Sequence, residues 1–239
     1  MPVSGLAITW LGHGTFLFTS PGGRRILIDP WLTGNPACPP DRKAIDRLDL
    51  ILVTHGHFDH IEDAAPLALS TGATVVSSFE ICQWLGRKGV ERTSGMNKGG
   101  TQQLAGIDIT MVRAEHSSSY VDEGGITYLG EPAGYVLRFE DGTKVYFAGD
   151  TAIFSDMALI RELYAPHIAF LPIGDFYTMG PEAAARACEL LGVRQVVPMH
   201  HGTFPALTGT PARLRELVEP KGIVVIELKP GETRQLAAV

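Results

Sequence analysis

Leu50-Ile51-Leu52-Val53-Thr54-His55-Gly56-His57-Phe58-Asp59-His60 is the stretch from which the rest of the chain can be read. An unbroken apolar run of this length, rich in branched residues, marks a strand buried on both faces, as in a parallel sheet covered by helices. Three histidines and one carboxylate follow within six positions. Functional side chains collect on loops at strand ends in such folds. Side chains alternate along an extended chain, so His55 and His57 leave it on the same side. If the turn continues into a helix, Asp59 and His60 face a second point close by. Neutral imidazole is a common metal ligand near pH 7, and carboxylate suits a harder ion. The cluster therefore reads as the first half of a two-metal site, in preference to a solvated His-rich loop.

The 239 residues suffice for a sizeable core and read as one domain, residues 1–239, with no repeat, linker or low-complexity tract. Hydrophobic residues at 45% and charged residues at 19% fit a soluble enzyme, and a net charge of −6 argues against nonspecific nucleic-acid binding. No basic residue precedes Arg24, and Gly12-His13-Gly14 breaks the early apolar stretch. Neither a signal peptide nor a membrane span is expected. Cys38, Cys82 and Cys188 are scattered and unpaired by spacing, which suits reduced thiols in a cytoplasm and gives no thiolate zinc motif.

Alternation and turn residues predict strands at Leu6–Trp10, Thr15–Thr19, Arg25–Asp29, Leu50–Thr54, Thr74–Val76, Ile107–Arg113, Gly134–Phe139, Lys144–Ala148, Ile168–Leu171, Gln195–Pro198 and Ile223–Glu227. Helices are predicted near Glu62–Leu69 and Phe79–Arg87, from a Ser155-Asp156 cap to before Pro166, over Pro181–Leu191, and from a Thr210 cap to about Val218. Strand-rich halves, each with helices, give an α/β fold: an αββα sandwich of two face-to-face sheets with helices outside.

A metal held by His55 and His57 wants a third protein ligand and an open position. His116 follows the strand Ile107–Arg113, Asp150 follows Lys144–Ala148, and His200 and His201 follow Gln195–Pro198. Each lies just past a strand, so one rim would collect the polar chemistry. Gly149 would let the backbone approach closely, and Asp150 has two oxygens with which to bridge two ions.

In this order and strand context, His55-x-His57-x-Asp59-His60, His116, Gly149-Asp150-Thr151 and a late His resemble the metallo-β-lactamase superfamily over essentially the whole chain. The resemblance implies one metal on His55, His57 and His116, a second on Asp59, His60 and the late His, and Asp150 between them. Pro198-Met199-His200 with Gly202-Thr203-Phe204-Pro205 is similar to a branch of small metal-dependent hydrolases related to ascorbate-6-phosphate lactonases, and this favours His200. His201 is then a supporting or surface residue. Trp10-Leu11-Gly12-His13-Gly14-Thr15-Phe16, Asp29-Pro30-Trp31-Leu32 and the segment from Leu171 to Pro181 match the same branch. His13 is either an exposed turn residue or a polar group near the metals. Asp29 reads first as a turn former, with support of a metal-ligating His as the alternative. Asp175 reads as a helix-approach cap or a pocket residue.

The resemblance implies a hydrolase with two divalent transition-metal ions, Zn2+ first and Mn2+, Fe2+ or Ni2+ as alternatives. A metal-bound hydroxide would attack a small-molecule ester, lactone, amide or phosphodiester, with Asp59 as the catalytic carboxylate. The pocket is expected to draw on Phe58, Tyr120, Tyr128, Phe176, Tyr177, Met179 and Phe204. A nucleic-acid-processing phosphodiesterase and a non-catalytic metal-binding or redox module are the competing readings. The acidic balance and the lack of a basic arm or a flavin domain weigh against them. A small-molecule substrate is the expected partner, and composition leaves room for assembly with further copies of the chain.

Overall fold

Alternation in the buried strand assigns its two faces. Leu50 and Leu52 enter the core between two sheets, while Ile51 and Val53 pack with Ile61, Ala64, Ala68, Ile81 and Leu85 of a helical layer. The computed structural model describes residues 5–236. Its first sheet contains β1 (Leu6–Trp10), β2 (Phe16–Thr19), β3 (Arg25–Ile28), β4 (Leu50–Leu52), β5 (Thr74–Ser78) and β6 (Thr93–Met96). The second contains β7 (Thr101–Leu104), β8 (Ile107–Arg113), β11 (Ala133–Arg138), β12 (Lys144–Phe147), β13 (Ile168–Pro172), β14 (Gln195–Met199) and β15 (Val224–Val225). A separate hairpin joins β9 (Ser119–Asp122) to β10 (Gly125–Tyr128), and β16 (Thr233–Leu236) returns to pair with β1. Among the described residues, the two main sheets have seven strands each.

Helices α1 (Phe58–Ile61), α2 (Ala64–Thr71) and α3 (Phe79–Arg87) belong to the first half. Helices α4 (Met157–Tyr164), α5 (Pro181–Leu191) and α6 (Pro211–Val218) set Ile160, Ala184, Cys188, Leu191 and Leu214 into the core of the second. The result is the four-layer αββα sandwich. β3 to β6 run parallel, as do β12 to β15. β8 and β12 both pair antiparallel with β11, so they share a direction. By the same logic β1 shares the direction of β3 across β2. The carboxyl ends of β1, β3 and β4, and those of β8, β12 and β14, therefore deliver their loops to one rim.

Several elements differ from expectation. β6, β7 and β16 lack an apolar period, because edge strands bury little; Thr233, Arg234 and Gln235 of β16 are all exposed. β9 and β10 pair only with each other and are mostly exposed. The helix expected at Glu62–Leu69 is displaced by two residues: α2 begins at Ala64 and runs to Thr71, with Pro66 in its first turn, where no amide donor is needed. At α4 the expected cap is absent, since Ser155 Oγ donates to Asp156 Oδ1 and no side chain bonds the helix end. Thr210 does cap α6, accepting from the Arg213 amide at 3.2 Å.

Four phenyl rings tie the sheets together: Phe170 lies 5.0 Å from Phe16, 5.1 Å from Phe18 and 5.7 Å from Phe147, between ring centroids. Phe16 and Phe18 belong to one sheet, Phe147 and Phe170 to the other. Truncating Phe170→Ala opens a cavity in both at once, and urea denaturation should show a loss of about 3–5 kcal/mol. A loss under about 1 kcal/mol would mean that the sheets collapse onto the gap.

Candidate metal centre

The chain stays extended through His57 (φ −70°, ψ 146°) and becomes helical at Phe58. This sends His55 and His57 one way and turns Asp59 and His60 another. His55 Nε2 and His57 Nδ1 lie 3.0 Å apart, with His116 Nε2 3.3 Å from His57 Nδ1. Tetrahedral Zn–N bonds of about 2.0–2.1 Å place ligand nitrogens roughly 3.3 Å apart. Burial lowers the pKa of all three imidazoles, that of His55 well below its usual value. They are therefore in the neutral, ligating form near pH 7.

A buried carboxylate orients members of both candidate ligand groups. Asp29 is fully buried and accepts from the Thr54 amide (2.7 Å), the Thr54 hydroxyl (2.7 Å) and His60 Nδ1 (2.8 Å). Because Thr54 Oγ1 donates to Asp29, it must accept from His55 Nδ1, 2.9 Å away. The Nε2 atoms of His55 and His60 are thereby left for the centre. Asp29 also adopts a left-handed φ of +49°. It is thus a turn residue as first read, and its carboxylate supports a candidate ligand as well.

Asp150 lies between the two groups. Its Oδ1 is 3.4 Å from His60 Nε2, and its Oδ2 is 3.0 Å from His200 Nε2, 3.7 Å from His116 Nε2 and 4.0 Å from His55 Nε2. Asp59 Oδ2 is 3.7 Å from His200 Nε2 and 3.8 Å from His60 Nε2. His60 Nε2, His200 Nε2 and Asp150 Oδ1 are buried without a hydrogen-bond partner. Orphaned donor atoms of this kind converging on one space fit a cation.

The charges agree with that fit. Burial opposes a charge on His60, yet Asp150, Asp59 and Asp29 together hold its pKa well above the imidazole range. Burial likewise opposes a charge on His200, and Asp150 reverses this and brings it to about 9. Both carboxyls are held below their usual range against the effect of burial, Asp59 chiefly by His60 and Asp150 chiefly by His200. Protons on His60 and His200 thus balance two ionised carboxylates, and a bound cation would displace them.

His13 is buried, contrary to the exposed-turn reading. Its Nε2 donates to Asp59 Oδ2 at 2.9 Å. Burial depresses its pKa to about 4, so the ring is neutral and Nδ1 accepts from Thr203 Oγ1 at 3.0 Å. The loops are also joined by backbone, since the His200 amide donates to the His13 carbonyl at 3.1 Å. His13 and His200 both take left-handed φ values, +56° and +54°. Such strain costs about 1–3 kcal/mol per residue and persists only where surroundings enforce it. Gly149, with φ +62°, permits close approach: a Cβ there would lie 2.8 Å from the Thr54 side chain.

Two candidates stay apart from this centre. His201 packs its ring 5.1 Å from Trp10, and burial lowers its pKa to about 4. Asp175 is exposed, and its Oδ1 accepts from the next amide, that of Phe176, so it shapes its own loop. Thr54 and Thr203 were given no role from sequence. A Thr preceding the His-x-His signals a hydroxyl within reach of its neighbour's ring, whereas Thr203 gives no local signal because its partner is 190 positions away. The three thiols are buried, and desolvation raises them to about 11 (Cys38, Cys82) and 12 (Cys188), so none is a nucleophile.

A cavity of about 750 Å3 opens above His57, Asp59, His116, Asp150 and His200. Phe58, Tyr177 and Phe204 line it as expected. The other residues expected there are used elsewhere. Tyr120 bonds Glu62, Tyr128 bonds Glu131, Met179 is in the core, and Phe176 packs beside Tyr177 in solvent.

The model of the Beta-lactamase superfamily domain matches residues 24–201. A UPF0173 metal-dependent hydrolase of Solibacter usitatus is 55% identical over 230 residues, covering 96% of this chain and 100% of that protein. One from Methanopyrus kandleri is 46% identical, covering 95% and 99%. The solved structure of Igni18, a novel metallo hydrolase from Ignicoccus hospitalis, matches with a TM-score of 0.86 and 39% identity over 98% of this chain and 99% of that one. The chain belongs to the β-lactamase superfamily and, within it, to the UPF0173 metal-dependent hydrolases.

Asp29→Asn replaces one acceptor oxygen with an NH2 donor, so the three hydrogen bonds from Thr54 and His60 cannot all form. Metal affinity, measured by competition with a chromogenic chelator, should fall about 10- to 100-fold; unchanged affinity would remove the orienting role. His200→Ala should reduce the number of ions bound, and His201→Ala should leave it unchanged. The opposite pattern would assign the late ligand to His201.

Proposed function

We propose that this chain is a dinuclear hydrolase of a small-molecule ester, lactone or phosphodiester. The observation that carries the reading is Asp150, set between His55, His57 and His116 on one side and Asp59, His60 and His200 on the other, with buried donor atoms around it unsatisfied. A set of imidazoles and carboxylates suits Zn2+ first, while Mn2+, Fe2+ and Ni2+ accept the same donors. Divalent ions held here would polarise a carbonyl or phosphoryl oxygen and make water acidic enough to lose a proton near neutral pH.

The protein's own part is positioning and proton handling. Asp59 faces the cavity and is held by the hydrogen bond from His13 to Oδ2. It orients the attacking water and accepts its proton. His13 in turn is held by Thr203 and by its burial, so the carboxylate does not have to find its rotamer during turnover.

Protein purified without chelator should contain close to two transition-metal ions per chain by elemental analysis. A reproducible maximum of one, with Asp59 and His60 replaceable without loss, would reduce the centre to a single ion. Asp59→Asn keeps shape and one oxygen but loses most basicity. Turnover should fall roughly 10²-fold or more with both ions retained, the scale of a positioned base. Near-normal turnover with full metal content would show that Asp59 serves only as a ligand.

A further inference from the structure

The walls of the cavity carry information that its floor does not. Phe58, Val121, Tyr177, Phe204, Pro205 and Ala206 form them, and the polar groups among them are the hydroxyls of Ser117, Ser119 and Tyr177. Among the described residues, no lysine or arginine lines the cavity. Basic residues elsewhere on the chain are engaged with other groups: Lys88 lies over the rings of Trp84 and Tyr120. Arg113 bonds Glu115 at 2.6 Å and Lys98 faces Glu131 at 3.8 Å. A non-reacting phosphate, sulfate or carboxylate on a substrate would find no cationic fork there, and a polynucleotide no basic track.

The apolar wall is built, because its parts come from distant loops and brace one buried residue. Trp31 is 3% exposed. Phe58 meets it edge-on at 5.6 Å, and Phe204 stacks on it at 5.8 Å with planes 28° apart. Phe58 remains 51% exposed, Tyr177 58% and Val121 64%. These side chains have forgone burial in the core and offer their area to whatever enters. The volume is that of a drug-sized ligand.

We infer that the substrate's non-reacting part is apolar and uncharged, an ester or lactone with a hydrocarbon or aromatic substituent; this rests on the hydrolase reading. For such an ester, the water oxygen bonds to the carbonyl carbon, the acyl C–O bond breaks, and one water proton passes through Asp59 to the leaving alkoxide. The products are a carboxylic acid and an alcohol, with no further reactant.

The test uses full-length, metal-loaded protein and a series of p-nitrophenyl esters from acetate to octanoate. Beside them are half-esters of matched length ending in carboxylate, a phosphorylated sugar lactone, bis-p-nitrophenyl phosphate and an oligonucleotide. kcat/KM should rise up to about fourfold per added methylene until the cavity is filled. A terminal carboxylate should lower it at least tenfold. Phe204→Ala should flatten the chain-length slope, and Val121→Lys should shift preference toward the half-esters. A flat or falling slope, or preference for the phosphorylated or polymeric substrates, overturns the inference while leaving a hydrolase. If nothing is hydrolysed although both ions are bound, the hydrolase reading falls. Calorimetric titration with a long-chain methyl ketone, which cannot be hydrolysed, then decides the inference alone. Saturable binding weakened by Phe204→Ala supports it, and absence of binding overturns it.

Discussion

The centre depends on one carboxylate that faces no solvent. Asp29 has given up hydration entirely, and it accepts three hydrogen bonds in return. A buried carboxylate is tolerable only when its lone pairs are matched in this way. The matching partners are His60 directly and His55 by way of the Thr54 hydroxyl. One buried charge therefore sets the tautomer and the direction of an imidazole in each of two candidate ligand groups. It also accepts from the Thr54 amide at 2.7 Å and so ties the end of β3 to the end of β4. Sheet geometry and ligand geometry are in this sense one constraint.

The rim concentrates conformations that ordinary chain avoids. His13, Asp29 and His200 each have positive φ, and each lies within a few residues of a strand end. A strand continuing in extended geometry would carry its next side chain past the rim. A left-handed residue turns the chain back over it. The strain is local, and the support is the packed sandwich beneath, with Phe16, Phe18, Phe147 and Phe170 fully buried. A soft core would let these turns relax and the ligands drift apart.

Legibility followed burial. Strands buried on both faces, such as β4 and β13, show as apolar runs, and α5 and α6 carry Pro or Thr starts that a single sequence displays. β6, β7, β9, β10 and β16 did not show, since edge and hairpin strands take their order from a neighbour and not from their own pattern. Among site residues, His55, His57, Asp59 and His60 are legible because local spacing places them. His116, Asp150 and His200 are legible as polar residues after strands and as parts of a family pattern. The neighbours that hold them are not. His13 meets Asp59 across 46 positions and Asp29 meets His60 across 31, and no local rule connects such pairs. Asp175 shows the converse: its flanking motif is conspicuous in sequence, but its carboxylate accepts from the adjacent Phe176 amide of its own loop.

The cavity wall and the candidate centre share a support. The ring of His13, which holds Asp59, packs 5.2 Å from Trp31 and 5.4 Å from Phe204. Trp31 braces Phe58 and Phe204 on the cavity wall. A group pressing on that wall therefore presses on the aromatic stack that also positions the carboxylate. Remote binding energy can be turned into rate only through such a mechanical link, because uniform binding lowers KM without lowering the barrier. The apolar wall is in direct contact with the residue that holds Asp59, so under the proposed mechanism filling the cavity and aligning Asp59 would be coupled through packed side chains.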